Sequence, residues 1–483
     1  MDNCVDAKQF CERVLDTAKR LGASYADVRI VKRDSESISL RTGKVEGLDR
    51  SSGYGFGVRV IVDDAWGFAC SPDVTMGKGE QIAEDAVRTA RASATLKRKS
   101  VQLADVEPVT GSFNTTWQTD PFDVALDEKI GALKELDSAL RCDEKIKLTD
   151  CNMRFWKFEQ VFASSEGAYI EQKKIESGAE ASATAIEGAE VQRRSIPTGD
   201  YATAGYEFVE SLQLIDQAEQ AAHEAIAMLN APVCPSGEHT LILDGHMLAL
   251  QVHESCGHPI ELDRVFGMES SFAGTSFLTI DKLGTFQYGS DIVNITADAT
   301  LPGGLGSFAY DDEGVPSRRT DIVKNGVFSG YLTSRETAGE MGWSSGGAMR
   351  ADGWNRIPLI RMTNINLLPG DWTFDELIAD TDHGIYASSV ASWSIDDKRL
   401  NFQFGTEIAW EIVDGSIGRV LRNPIYSGMT PEFWGNCDAI CDEDEWKIWG
   451  TPNCGKGEPG QTAHVGHGVA PTRFRKVRTE GAK

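Results

Sequence analysis

Two histidines five positions apart, in the run His253-Glu254-Ser255-Cys256-Gly257-His258, constrain this chain more than any other stretch. Paired imidazoles beside a carboxylate are the parts of a hydrolytic metal site. The ring nitrogens hold a divalent ion, and the carboxylate takes a proton from the water that the ion polarises. A spacing of four places two histidines on one helical face, whereas a spacing of five separates them by roughly 140° on a regular helix. Both can reach one ion only if the helix bulges by one residue or unwinds between them. Gly257 tolerates left-handed backbone and Pro259 biases His258 away from the α region, so the means are at hand. Residues 245–252 read as a short apolar helix that delivers His253 and Glu254. The competing reading is a helix C-cap carrying two histidines satisfied by their surroundings.

A catalytic zinc site commonly takes three protein ligands and leaves one position for water. The candidates for the third are Cys437, Cys441, Cys454, His383, His464 and His467. Cys454 stands out because it sits in Thr451-Pro452-Asn453-Cys454-Gly455-Lys456-Gly457-Glu458-Pro459-Gly460-Gln461, a glycine-rich turn able to bring a thiolate and backbone amides near an ion. Cys437 and Cys441 suggest half of a zinc site, but no second pair accompanies them and Asp438, Asp442, Glu443 and Asp444 crowd them. His464 and His467 are expected at surface or cleft positions on a strand after Cys454.

At these residues the chain resembles the TldD/PmbA metalloproteases, in particular the TldD-like, metal-bearing branch. The run from His253 to His258 matches that family's H-E-x-x-x-H, and Cys454 to Gln461 resembles its C-G-K-x-G-Q segment. Residues 306–316 and 361–370 are similar to further family blocks, in the same order along the chain. The turn after Cys454 is longer than the family pattern and contains Pro459. The resemblance implies His253, His258 and Cys454 as ligands of one Zn2+ per subunit (another divalent metal being the alternative), with Glu254 as the general base. Cys256 is read as a neighbour of the ion, not a ligand. The resemblance also implies a homodimer, or a heterodimer with a PmbA-like paralogue, acting on peptides or unfolded polypeptides.

The chain has 483 residues, 41% of them hydrophobic and 25% charged, with a formal net charge of −25. This is the composition of a globular protein of two or three domains. Such a charge argues against a nucleic-acid surface. No apolar run is long enough to cross a bilayer, and Met1 to Asp6 show no secretory pattern. Ten scattered cysteines form no disulfide framework, so a reduced, cytoplasmic setting is expected.

Hydrophobic periodicity divides the rest. Residues 6–21, 78–92, 123–140 and 209–229 read as helices; 25–70 and 145–192 alternate as antiparallel meanders, with turns at Thr42-Gly43 and Asp63-Asp64. The segment Ala231-Pro232-Val233-Cys234-Pro235-Ser236-Gly237 is the clearest boundary. Beyond it, 240–244, 292–296, 326–332, 402–410 and 418–422 read as strands, and 373–378 as a short helix capped by Thr373 or Asp371. The expected class is α+β: small N-terminal α/β units with meanders, 1–107 and 108–230, before a large β-rich catalytic domain, 231–483. Within that domain Asp311, Asp312 and Glu313 form a carboxylate cluster on an expected loop. With Arg361 they are candidates for contact with substrate, and Arg318, Arg319 and Arg350 could hold a peptide carboxylate or carbonyl.

Three functions fit. The first is a zinc peptidase with metal-bound water activated by Glu254. The second is another metal-dependent amidohydrolase, of which the peptide deformylases pair the same residue types at the shorter H-E-x-x-H spacing. The third is a non-enzymatic PmbA-like binding subunit, in which the metal motif is lost. Glycines at 303–306 and 455–460 allow close backbone approach, as an extended peptide added to a strand requires.

Overall fold

The computed structural model describes residues 6–482; the start of the chain, on which the expected absence of a secretory segment rests, lies outside them at residues 1–5. The N-terminal part is built on one eight-stranded sheet. Its main path runs Ala65–Ser71, Lys44–Val62, Tyr25–Arg41, Ile146–Ser164, Tyr169–Glu187, Thr110–Asn114, with Glu190–Ser195 and Asp200–Ala202 also paired to Tyr169–Glu187. The two meanders therefore share a sheet: Tyr25–Arg41 pairs antiparallel with Ile146–Ser164 from Asp27↔Ser164 to Arg41↔Asp150. The hairpin turns fall at the positions read from sequence, where Thr42, Asp63 and Asp64 take positive φ.

Helices cover this sheet as their apolar stripes require. Ala7–Arg20 is capped by Asp6, whose carboxylate accepts from the amides of Lys8 and Gln9. With Met76–Ala94 it buries Phe10, Val14, Ile82 and Ala86 against Val28 and Val58. Leu126–Leu140 and Leu214–Asn230 pack Leu133, Leu136 and Ala222 onto Ile38, Met153 and Phe155. The single helix expected over 209–229 is broken instead, into Tyr206–Ser211 and Leu214–Asn230, with Gln213 left-handed at the junction (φ 48).

The C-terminal part centres on a seven-stranded sheet, ordered His383–Ile395, Gly237–Leu243, Thr472–Gly481, Pro424–Met429, Asn401–Val413, Ser416–Arg422, with Cys437–Ile440 beside Thr472–Gly481. His383–Ile395 also pairs with Asn401–Val413, which closes five of these strands into a ring. Phe402, Phe404, Tyr426, Phe433, Trp434 and Phe474 fill the adjoining core. The strand expected at 292–296 lies at Ile295–Asp298, and that at 326–332 shrinks to Val327–Phe328. Phe374–Ala379 starts with a capping box between Thr373 and Glu376. Among the described residues no helix is long and apolar enough to cross a membrane. Mixed helices and mainly antiparallel sheets make the class α+β.

The acidic run at 311–313 joins the two parts and is buried, not solvated. Arg29 donates to Asp312 (3.1 Å), and Arg59 lies between Asp27 (2.8 Å) and Glu313 (3.2 Å). Asp311 accepts from the amides of Glu313, Val315 and Met349. Nearby, Arg335 pairs with Glu166 (2.7 Å).

Candidate metal centre

Strand Gly237–Leu243 ends at Asp244, whose Oδ1 accepts from the amide of Met247 (2.7 Å) and starts helix Gly245–Val252. Met247, Leu248 and Val252 are wholly buried, so the helix is anchored in the core just before His253. There the winding changes: His253–Gly257 is a π-helical turn, closed by the amide of His258 bonding to the carbonyl of His253. Five residues per hydrogen-bonded step, in place of four, put residues 253 and 258 on one side. Their ring centroids are 4.9 Å apart. The carbonyl of Ser255 takes a bond from the Tyr288 hydroxyl (3.0 Å), and Trp434 Nε1 donates to Ser255 Oγ (3.0 Å).

Two details differ from the sequence reading. Gly257 has φ −58 and His258 φ −67, ψ −42, so both stay right-handed, and Pro259 lies inside the short 3₁₀ turn His258–Ile260. The bulge comes from hydrogen-bond slippage, not from left-handed backbone. Glycine is required at 257 by space, because a Cβ there would lie 2.1 Å from Met362 Sδ.

Cys454 arrives on the hairpin of Lys447–Lys456 and Gln461–Val469. Its Sγ is 3.8 Å from His258 Nε2. One ligand atom each from His253, His258 and Cys454 lie within 4.8 Å of one another, and all three residues are buried. An ion with bonds of about 2.0–2.3 Å spans such separations, and two imidazoles with a thiolate are zinc's preferred donors. The donor set and its spacing therefore fit a divalent ion. Burial alone would raise the Cys454 thiol, but the facing His253 and His258, with Arg361, hold it well below the usual thiol range. Cys256 behaves oppositely: burial pushes it up to about 12, so it stays a protonated thiol.

Both imidazoles are oriented from their far side. His258 Nδ1 meets Glu261 Oε2 (3.1 Å), and Lys456 Nζ lies 3.4 Å from the same oxygen. His253 Nδ1 meets His467 Nε2 (2.8 Å). Glu254, 6% exposed, receives a bond from Arg399 Nη1 (2.6 Å), whose turn is shaped by Asp396.

The other candidates lie elsewhere. His383 sits on the surface with Asp382 and Asp414, and Cys437 and Cys441 are buried in apolar packing. His467 is fully buried, against the expected surface or cleft position, because its strand is covered on both faces. His464 borders a cavity of about 490 Å³ between the N-terminal sheet and the hairpin, with Arg350 and Asp312 also in the wall. Arg361 is 1% exposed and donates to the carbonyls of Cys454 (2.5 Å) and Gln461 (3.3 Å), tying the two strands of the hairpin. Sequence reasoning missed Glu261, Arg399 and the place of His467. Glu261 had a signal, a carboxylate three residues after a ligand histidine; Arg399 had none.

Models of three PmbA/TldA metallopeptidase domains match the chain: domain 1 over residues 26–94, the central domain over 119–229 and the C-terminal domain over 236–481. A metalloprotease of Methanocaldococcus jannaschii is 33% identical over 444 residues, covering 92% of this chain and 94% of that protein. A zinc metalloprotease TldD homologue of Saccharolobus solfataricus is 23% identical, covering 97% and 99%. The fold is similar to that of TldE from Thermococcus kodakarensis (TM-score 0.76, 16% identity, 97% and 99% of the two chains covered). With three domain models matched in order along its length, the chain belongs to the TldD/PmbA family of metallopeptidases.

Proposed function

We propose that the chain is a zinc-dependent peptidase of the metal-bearing, TldD-like kind, hydrolysing peptides or unfolded polypeptides, with His253, His258 and Cys454 as ligands and Glu254 as general base. The observation that carries this reading is the buried meeting of those three ligand atoms within 4.8 Å, with a carboxylate on the residue after the first ligand. His253, His258 and Cys454 would hold a divalent ion, which would supply Lewis-acid polarisation of the scissile carbonyl and of a water molecule. Glu254 accepts the proton of the attacking water at its carboxylate and returns it to the leaving amine. Arg399 steers that carboxylate and balances its charge. Asp312 borders the substrate space, while Asp311, Glu313 and Arg361 act one step back by holding the walls around it.

Elemental analysis and peptide turnover test this together. Cys454→Ala is expected to lose the ion. Glu254→Gln is expected to keep it and lose about 10²–10⁴-fold in turnover. Undiminished metal in the first would remove Cys454 from the ligand set; near-normal hydrolysis by the metal-replete second would remove Glu254 as base. The working form is a homodimer or a pair with a PmbA-like subunit in a cytoplasmic setting. Native mass spectrometry showing monomer both alone and with that subunit would count against the pairing.

A further inference from the structure

His467 lies outside the ligand pattern, yet segments from several parts of the chain meet around it. Its strand is held in register by Gly466, whose amide donates to Thr363 O (3.3 Å), and by Gly468, whose amide donates to Asn366 Oδ1 (2.8 Å). Asn364 packs so closely on Gly466 that a Cβ there would lie 2.3 Å from its Oδ1, and the same oxygen accepts from the amide of Gly306 (3.0 Å). Segments 306–316 and 361–370, which bring no ligand to the metal centre, thus set where His467 stands.

Hydrogen-bond logic assigns its protons. His467 Nδ1 faces the carbonyl of Ile365 (3.3 Å), which can only accept, so Nδ1 carries hydrogen. An imidazole with hydrogen on Nδ1 presents a lone pair at Nε2. That lone pair faces His253 Nδ1 at 2.8 Å, which must then be the donor. Hydrogen on Nδ1 leaves His253 Nε2 as the free nitrogen on the side of Cys454. With the opposite tautomer the wrong nitrogen would be free.

We propose that His467 is a positioning residue that locks His253 in its Nδ1–H tautomer and ring orientation, so that Nε2 is always the nitrogen offered to a divalent ion. This rests on the metallopeptidase reading and goes beyond it, because the residue is neither ligand nor base. It also makes the two ligand imidazoles unequal: His258 is backed by the carboxylate of Glu261, and His253 by a neutral ring. A neutral acceptor orients His253 without adding negative charge, which leaves a bound ion a stronger Lewis acid than two carboxylate-backed imidazoles would.

Side-chain isosteres separate orientation from packing. In His467→Gln the amide oxygen falls where Nε2 lies and keeps an acceptor for His253. In His467→Asn the amide falls where Nδ1 lies, so the contact with Ile365 survives and the acceptor is lost. His467→Phe fills the space and removes both. The full-length chain and the variants are compared for Zn2+ affinity by competition with a chromogenic chelator, and for the thiolate-to-metal absorption of the Co2+ form. Circular dichroism and thermal unfolding check the fold. Asn and Phe variants are expected to bind Zn2+ about 10–100-fold more weakly with a shifted Co2+ spectrum, and Gln to recover most of the affinity. Should Phe fail to fold, the Gln–Asn pair gives the same contrast. Wild-type affinity in Asn, or equal loss in Gln and Asn, overturns the role of His467 alone. A wild-type chain with no affinity for Zn2+ overturns both it and the metallopeptidase reading.

Discussion

At Gly257 the backbone is ordinary right-handed helix, so the chain itself would accept alanine there; the objection comes from Met362 across the turn. An added methyl must displace a sulfur in a core where neighbours have little room. Gly257→Ala is expected to cost about 1–3 kcal/mol in urea unfolding. The cost should shrink when Met362→Ala has already opened the space; equal costs in both backgrounds would show that the demand for glycine lies in the backbone after all. This residue marks the reach of the sequence. The five-residue spacing demanded a bulge, and the ligand candidates could be named by chemistry. Why the glycine is there depends on a methionine 105 positions later, and no local pattern reports such a contact. The same holds for Arg399 beside Glu254.

At the scale of elements, the hairpin carrying Cys454 is held against the N-terminal sheet by His464 and Glu176, whose Nδ1–Oε2 separation is 2.5 Å. Burial pushes the Glu176 carboxyl up, but Lys174, 2.6 Å away, and His464 outweigh it and hold it down to about 2. A carboxylate whose folded pKa lies below its unfolded value near 4.3 binds fewer protons folded than unfolded. Its contribution is therefore full above about pH 4.3 and is lost as pH falls toward 2, for an upper value of roughly 3 kcal/mol. The stability gap between wild type and Glu176→Gln should accordingly narrow with acid across that window. A gap independent of pH between 5 and 2.5 in denaturant titrations would show that Glu176 acts through packing only. Elements with strong periodicity were legible: the first three helices, both meanders and the capped helix at 374. The short strands at 295 and 327 were displaced or shrunken because tertiary pairing, not local alternation, sets their ends.

For the whole molecule, the candidate centre is buried: His253, His258 and Cys454 are each under 6% exposed. Such a site admits a single extended chain more readily than a folded surface. A marginally stable protein should therefore be cleaved in proportion to its unfolded fraction. Adding its stabilising ligand at 100 times Kd should slow cleavage about 100-fold. Equal rates with and without the ligand, at demonstrably different unfolding equilibria, would exclude selection by unfolding.

The strand Tyr25–Arg41 is bordered by Lys44–Val62 on one edge and, from Asp27 to Arg41, by Asp150 to Ser164 on the other. During synthesis the first partner follows at once, while the second is more than a hundred residues away. Until residue 164 leaves the ribosome, a long row of backbone amides and carbonyls stays unpaired on a strand that carries Ala26, Val28, Ile30, Ile38 and Leu40 on one face. An open edge of that kind is a template for pairing with another nascent copy. The same seam that makes the N-terminal half one continuous sheet thus makes its youngest form the most prone to aggregate.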